Sequence, residues 1–222
     1  MTALSTEIRA ALRAAADPAL APGQQAYMKS AMPFLGVRVP ATRRIARLAA
    51  KGVKDAALVR ASALDLWDAA SHREERYAAM ALLAMPPLRG NEDIVDVVEH
   101  MVRTGQWWDY TDELAHRLAE LHDTKPAPTA DLARAWSIDG DLWIRRIAIL
   151  SQLGRGARLD RRLLADVIEP NAGDREFFIR KAIGWALREY ARVDANWVRG
   201  FVAARDFSPL TRREALKHIG ER

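Results

Sequence analysis

The sequence predicts an all-α fold, a stack of antiparallel helical hairpins. Three observations lead there. Apolar residues recur at spacings of three and four in almost every window, as in Ile94, Val97, Val98 and Met101. No run of alternating polar and apolar residues marks a strand. Glycine and proline breakers cut the chain into segments of roughly 10–20 residues, an ordinary helix length.

The helices follow in order. The first is expected near 3–16, before Pro22-Gly23, and the second near 24–31, before Pro33 and Pro40. The third runs near 41–51, where Thr42 sits close to the N-terminus as a cap, and ends by Gly52. Helices near 55–68 and 72–84 precede Pro86-Pro87 and Gly90. The next, near 91–103, opens on Asn91-Glu92-Asp93, a cap residue with acids where the helix dipole favours them. Helices near 107–121, 129–137 and 141–152 are separated by Pro126, Pro128 and Gly140. Those near 160–169 and 175–192 flank Pro170 to Gly173. The last two run near 195–204 and 209–219, with Ser208-Pro209 as a cap followed by a first-turn proline. Thirteen helices joined by short loops suit hairpin repeats of about 40 residues; a compact helical bundle is the alternative. Stacked hairpins would present one long concave surface.

Composition narrows the function classes. The chain has 222 residues, 50% of them hydrophobic, which fits one domain with a core. It has no cysteine, which excludes thiol catalysis, disulfides and cysteine-held metal or iron–sulfur clusters. No apolar run is long enough to span a membrane. The N-terminus lacks a basic segment followed by an apolar one, so a cytoplasmic location is expected. Residues 141–222 hold 17 Lys+Arg against 11 Asp+Glu, and residues 1–140 hold 17 against 18. The basic excess therefore sits in the last third. Arg outnumbers Lys by 28 to 6, which suits phosphate contacts. The histidines are scattered, and no metal-spaced set, nucleophile elbow or phosphate-cradling loop is present.

Four segments stand out. In Gln106-Trp107-Trp108-Asp109-Tyr110-Thr111-Asp112-Glu113, adjacent tryptophans cannot share one helix face, whereas Trp108 and Asp112 can. An indole face and a carboxylate suit a cationic group; a core tryptophan with first-turn acids is the other reading. In the next segment Arg146 interrupts the apolar series of Leu142, Ile149 and Leu150, as an ion pair, a snorkelling arginine or a phosphate clamp. The run from Phe177 to Tyr190 sets Trp185 and Arg188 one turn apart. There Gly184 calls for close approach of another backbone or a ligand. The stretch from Tyr27 to Pro40 is a proline-bounded loop in which Phe34-Leu35 reads as a core plug. Tyr27 and Arg38 are ligand candidates, with core packing the alternative for Tyr27.

Together these blocks resemble the DNA alkylation repair (AlkD-type) family, the alkylpurine DNA glycosylases built from HEAT-like repeats. The matching residues are Tyr27-Met28-Lys29 with Pro33-Phe34-Leu35-Gly36, and Trp107-Trp108-Asp109 with Asp112. Then come Trp143-Ile144-Arg145-Arg146 with Ala148-Ile149-Leu150, and Glu176-Phe177-Phe178-Ile179 with Ala182-Ile183-Gly184-Trp185 and Leu187-Arg188-Glu189-Tyr190. Pro209-Leu210, Arg213-Glu214-Ala215 and Lys217-His218-Ile219 close the pattern. Their order and spacing cover nearly the whole chain.

The resemblance implies a right-handed HEAT-like or ARM-like α-solenoid with a concave DNA-binding face, one domain over residues 1–222. It implies hydrolysis of the N-glycosidic bond of N3- and N7-alkylated purines such as 3-methyladenine and 7-methylguanine in duplex DNA. No cofactor or metal, no strand cleavage and no base flipping are expected, and a monomer suffices. Asp112 matches the family's catalytic carboxylate. Trp108 and Trp185 match the aromatics flanking the lesion's sugar, and Arg146 the phosphate-contacting arginine. Tyr27, Lys181 and Arg188 are further DNA-contact candidates. The chain departs from the family pattern at Arg38-Val39, where relatives carry uncharged polar residues; Arg38 would add a backbone contact. Two other classes compete: a non-catalytic binder of distorted or branched DNA, and a helical-repeat protein scaffold.

Overall fold

The computed structural model describes residues 1–219. Its described residues hold thirteen α-helices and no strand, as the periodicity predicts. They are α1 (Ala3–Ala14), α2 (Ala21–Met28), α3 (Val39–Ala49), α4 (Ala56–Asp68), α5 (Arg73–Leu83), α6 (Val95–Gly105) and α7 (Trp108–Thr124). After them come α8 (Pro126–Trp136), α9 (Leu142–Leu150), α10 (Arg161–Ile168), α11 (Phe177–Tyr190), α12 (Ala195–Ala203) and α13 (Pro209–Leu216). The last helix, expected near 209–219, stops at Leu216.

Three early helix starts share a cause. Helices α2, α3 and α8 each begin two or three residues earlier than expected, with a proline inside the first turn. A first-turn N–H has no intrahelical acceptor, so proline loses nothing there and its fixed φ suits the helix. Pro22, Pro40, Pro126 and Pro128 therefore start helices instead of breaking the chain. The expected cap at Thr42 is displaced with them. Arg38 occupies the cap position of α3 without a side-chain cap bond, and Thr42 is buried inside the helix. Asn91 does cap, accepting from the N–H of Asp93, but it opens a short 3-10 turn ahead of α6. Ser208 accepts from the N–H of Thr211, as its sequence context predicts.

The helices gather into two compact units, Met1–Val97 and the residues from Val98 onward. In the first unit α3 lies beside α1 and α5, and α4 packs on α1 and α5. Ile8, Leu12, Leu66, Trp67, Leu82 and Leu83 are fully buried there. Two consecutive buried acids organise the polar contacts. Glu74 accepts the backbone N–H groups of Leu35, Gly36 and Val37 at 2.9, 2.9 and 3.1 Å. Glu75 pairs with Arg9 and Arg13. Each burial is tolerable because the carboxylate's oxygens are satisfied. This fixes the proline-bounded loop and inserts Phe34 into the core, where it was expected.

In the second unit α7, α9, α11 and α13 lie side by side in succession. Helices α8 and α10 pack on α9, and α12 packs on α11 and α13. The result is two layers, with Tyr110, Leu114, Leu118, Ile144, Ile147, Ile183 and Leu187 buried in the core. Gly184 is explained by packing. A Cβ there would lie 2.5 Å from Cβ of Glu214 and 3.1 Å from the carbonyl oxygen of Thr211, so the glycine lets α11 approach α13. A close backbone is thus the right reading of this residue.

Two glycine substitutions should have opposite signs. Alanine gains about 1 kcal/mol over glycine in a helix interior, while overpacking costs about 1–3 kcal/mol. Gly184→Ala should therefore lower stability. Gly200→Ala, in α12 with nothing within 4 Å of the new methyl, should raise it. Urea denaturation of the two variants measures both.

Candidate active site

Three aromatic side chains set the register of the site. Gln106 adopts a left-handed backbone with φ 45°, which turns the chain into an extended Trp107 immediately before α7. The Trp107 ring meets Trp143 at 6.2 Å and Phe178 at 5.8 Å, and those two rings lie 4.9 Å apart. Trp143 and Phe178 sit in the first turns of α9 and α11. The cluster therefore ties together the starts of three helices. Trp107 takes the packing role, and Trp108, about 100° round the helix, is left to line a cleft.

That cleft has a volume of about 310 Å³ and is lined by Trp108, Asp112, Arg146, Phe177, Phe178, Lys181 and Trp185. Trp108 and Asp112 come from one face of α7, a turn apart. Arg146 comes from α9. Phe177, Lys181 and Trp185 form a stripe on α11 at intervals of four.

The central contact is bidentate. Arg146 donates from Nε to one oxygen of Asp112 at 2.8 Å and from an Nη to the other at 2.9 Å. Its second Nη donates to the carbonyl of Phe178. The side chains are 5% and 14% exposed. Of the readings offered for Arg146, the ion pair describes this geometry. A guanidinium has five N–H donors, and three are engaged here within the protein.

Electrostatics separates the two acids nearby. Burial pushes the Asp112 carboxyl above its ordinary range; the Arg146 hydrogen bonds and charge pull it back, and the charge of Asp109 adds to the rise. Glu214 goes the other way. Lys181 at 2.9 Å and Arg188 at 2.6 Å hold its carboxylate below the usual range. Lys181 and Arg188 thus share one acid, and the acid lies over Gly184.

The structure brings Asp112, Trp108, Trp185, Arg146 and Lys181 to one cleft, with Arg188 joined to it through Glu214. Tyr27 and Arg38 belong to the other unit. Tyr27 is 76% exposed, which removes the core-packing reading, and Arg38 is exposed as well. Sequence reasoning assigned no site role to Phe177, Phe178 or Glu214. The four-residue stripe of Phe177, Lys181 and Trp185 was available as a signal for the first. Nothing local marks Glu214, whose place depends on α13 packing against α11.

A family model described as DNA alkylation repair enzyme matches residues 8–219. The chain belongs to that family. A solved structure described as "Predicted DNA alkylation repair enzyme from Enterococcus faecalis" aligns with a TM-score of 0.80 at 22% identity. The alignment covers 93% of this chain and 98% of that one. At that identity the likeness shows a shared fold. No curated protein matches the chain. As a DNA alkylation repair family member, the protein has DNA as its substrate. Among its described residues no helix is long and apolar enough to cross a membrane, and no group of three or more His, Asp or Glu side chains could hold a metal ion.

The pairing gives a prediction in this family member. Arg146→Met keeps the bulk and removes the charge that opposes burial, so the Asp112 titration should move further upward. Carboxyl carbon NMR of the two proteins reads it directly. An unmoved titration would show that Arg146 does not govern this acid.

Proposed function

We propose that the protein is a monofunctional DNA glycosylase that hydrolyses the N-glycosidic bond of cationic N3- and N7-alkylated purines in duplex DNA. The observation that carries this reading is the Asp112 carboxylate, nearly buried in a solvent-open cleft that Trp108 and Trp185 also line. A neutral-substrate hydrolase needs an acid to protonate its leaving group. An alkylated purine is already positive. When its bond to C1′ breaks, the bonding pair goes to the base and neutralises it. The sugar left behind is an oxocarbenium-like cation, as in glycoside hydrolysis.

Asp112 stabilises that cation and orients or deprotonates the water that attacks C1′. A carboxylate has about four lone-pair sites, and Arg146 takes two, so acceptor capacity remains. Trp108 and Trp185 offer ring faces to the same cation. Arg146 holds the carboxylate in place, and the phosphate contact implied by the resemblance falls to its remaining donors. Lys181 and Arg188, steadied by Glu214, face the backbone of the lesion strand. Tyr27 and Arg38 contact DNA from the first unit. The family match runs through both units, which supports treating residues 1–222 as one functional domain. Stabilisation through the backbone and sugar leaves the base in the stack, so no flipping step is invoked. Monomeric action, a cytoplasmic setting and a place in base excision repair complete the proposal.

Measurement of free methylated base released from alkylated duplex DNA tests it. Native protein should release 7-methylguanine or 3-methyladenine and leave the strand intact. Asp112→Asn should reduce release by 10²–10³-fold or more, the usual size of a lost electrostatic stabiliser, while DNA affinity stays broadly unchanged. A native protein that binds but releases nothing would be a DNA binder only. An Asn variant working at the normal rate would remove Asp112 from the chemistry.

A further inference from the structure

The distribution of unpaired charge differs from the distribution of charge. In residues 141–222, where the sequence sum places the basic excess, nine basic side chains are held by carboxylates. Arg145 pairs with Asp174, Arg161 with Asp194 and Arg205 with Glu169; Arg146, Arg155, Arg158, Lys181, Arg188 and Arg192 are paired in the same way. Arg162, Arg175, Arg213 and Lys217 are also exposed there and make no ion pair among the described residues, but that stretch carries eleven acids. Residues 18–54 hold seven Lys+Arg and have no acid to offset their charge.

Most of that charge sits on and around α3. Thr42, Ala46 and Ala50 turn inward and are buried. Arg44, Arg47 and Lys51, at intervals of three and four, turn outward and are exposed. Arg38 and Lys54 flank the helix and are exposed too. None of these five makes an ion pair or side-chain hydrogen bond among the described residues.

We propose that the outer face of α3 is a lesion-independent binding site for the phosphate backbone of duplex DNA, with Arg44, Arg47 and Lys51 as its contacts. The reach fits. Seven residues of helix span about 10 Å, the axial length of about three phosphates along one strand. An arginine already neutralised by a neighbouring carboxylate displaces few counterions from DNA, whereas an unpaired one displaces a full complement. The face is unsuited to a lipid surface, because the buried side of α3 is committed to the core and the only large apolar side chains exposed along the helix are Leu48 and, at its start, Val39. The site supplies affinity for undamaged duplex, leaving recognition of the lesion to the Asp112 cleft. The inference rests on DNA as substrate and not on base excision.

The test uses full-length protein and a lesion-free duplex, with affinity measured by fluorescence anisotropy from low to moderate salt. Replacing Arg44, Arg47 and Lys51 together with Gln should lower the slope of log K against log salt by about two to three, at about 0.9 per phosphate lost. A control replaces the paired Arg134, Arg192 and Arg205 with Gln and should change it by less than one. An unchanged slope in the α3 variant, or equal changes in both, would overturn the proposal. So would a variant that loses binding to anionic phosphatidylserine vesicles while keeping its DNA slope. Base release is scored separately. A reduced slope in a protein that releases no base would sink the excision reading and leave this one standing.

Discussion

The bidentate contact between Arg146 and Asp112 is the constraint around which the C-terminal unit is arranged. Removing two charges from water costs several kcal/mol each, and a buried ion pair often contributes little net stability against an apolar replacement. Breaking one from a single side, by contrast, typically costs about 3–5 kcal/mol. The pair is therefore poorly explained as a stabiliser and well explained as a device for orienting a carboxylate in a cleft that two indoles also line. Burial alone would favour the protonated acid. The guanidinium opposes that and keeps the acceptor lone pairs directed.

Geometry makes the pair possible. Asp112 and Arg146 lie on different helices, and their helices meet in register because Trp107, Trp143 and Phe178 lock three N-terminal turns together. The cleft draws only on α7, α9 and α11, neighbours in one layer. The next member of that layer, α13, supplies Glu214, and it can do so only because Gly184 has no side chain. A backbone feature chosen for packing thus fixes the position of Lys181 and Arg188.

Much of this was legible in the sequence, for physical reasons that can be named. The three-and-four periodicity marks most of the helices, since burial of one face stabilises them; α2, with Met28 as its one buried residue, is the exception. The adjacent indoles predicted divergent directions, and Trp107 and Trp108 do diverge. Helix starts were misplaced wherever a first-turn proline looked like a breaker, as at Pro126 and Pro128. The partner of Arg146 was not legible, because a charge on an apolar face demands a partner without naming one. Nor was the role of Glu214, which is set by a contact 30 residues away in the chain. Net charge misled in a different way. Summation over the last third counted arginines that carboxylates neutralise, and averaging over the first 140 residues hid the acid-free tract around α3.

The proposed division of labour is electrostatic: the unpaired cations of α3 for the phosphates of undamaged duplex, and in the cleft the paired Arg146, Lys181 and Arg188 for the lesion strand, with Asp112 for a transient cation. The last of these roles is tested most directly with two duplexes that differ only in the charge of one sugar surrogate. One carries a cationic pyrrolidine nucleotide, the other a neutral tetrahydrofuran nucleotide. The account predicts tighter binding of the cationic duplex by the native protein, and loss of that preference when Asp112 is replaced by Asn. Equal affinity of the native protein for both duplexes would contradict it.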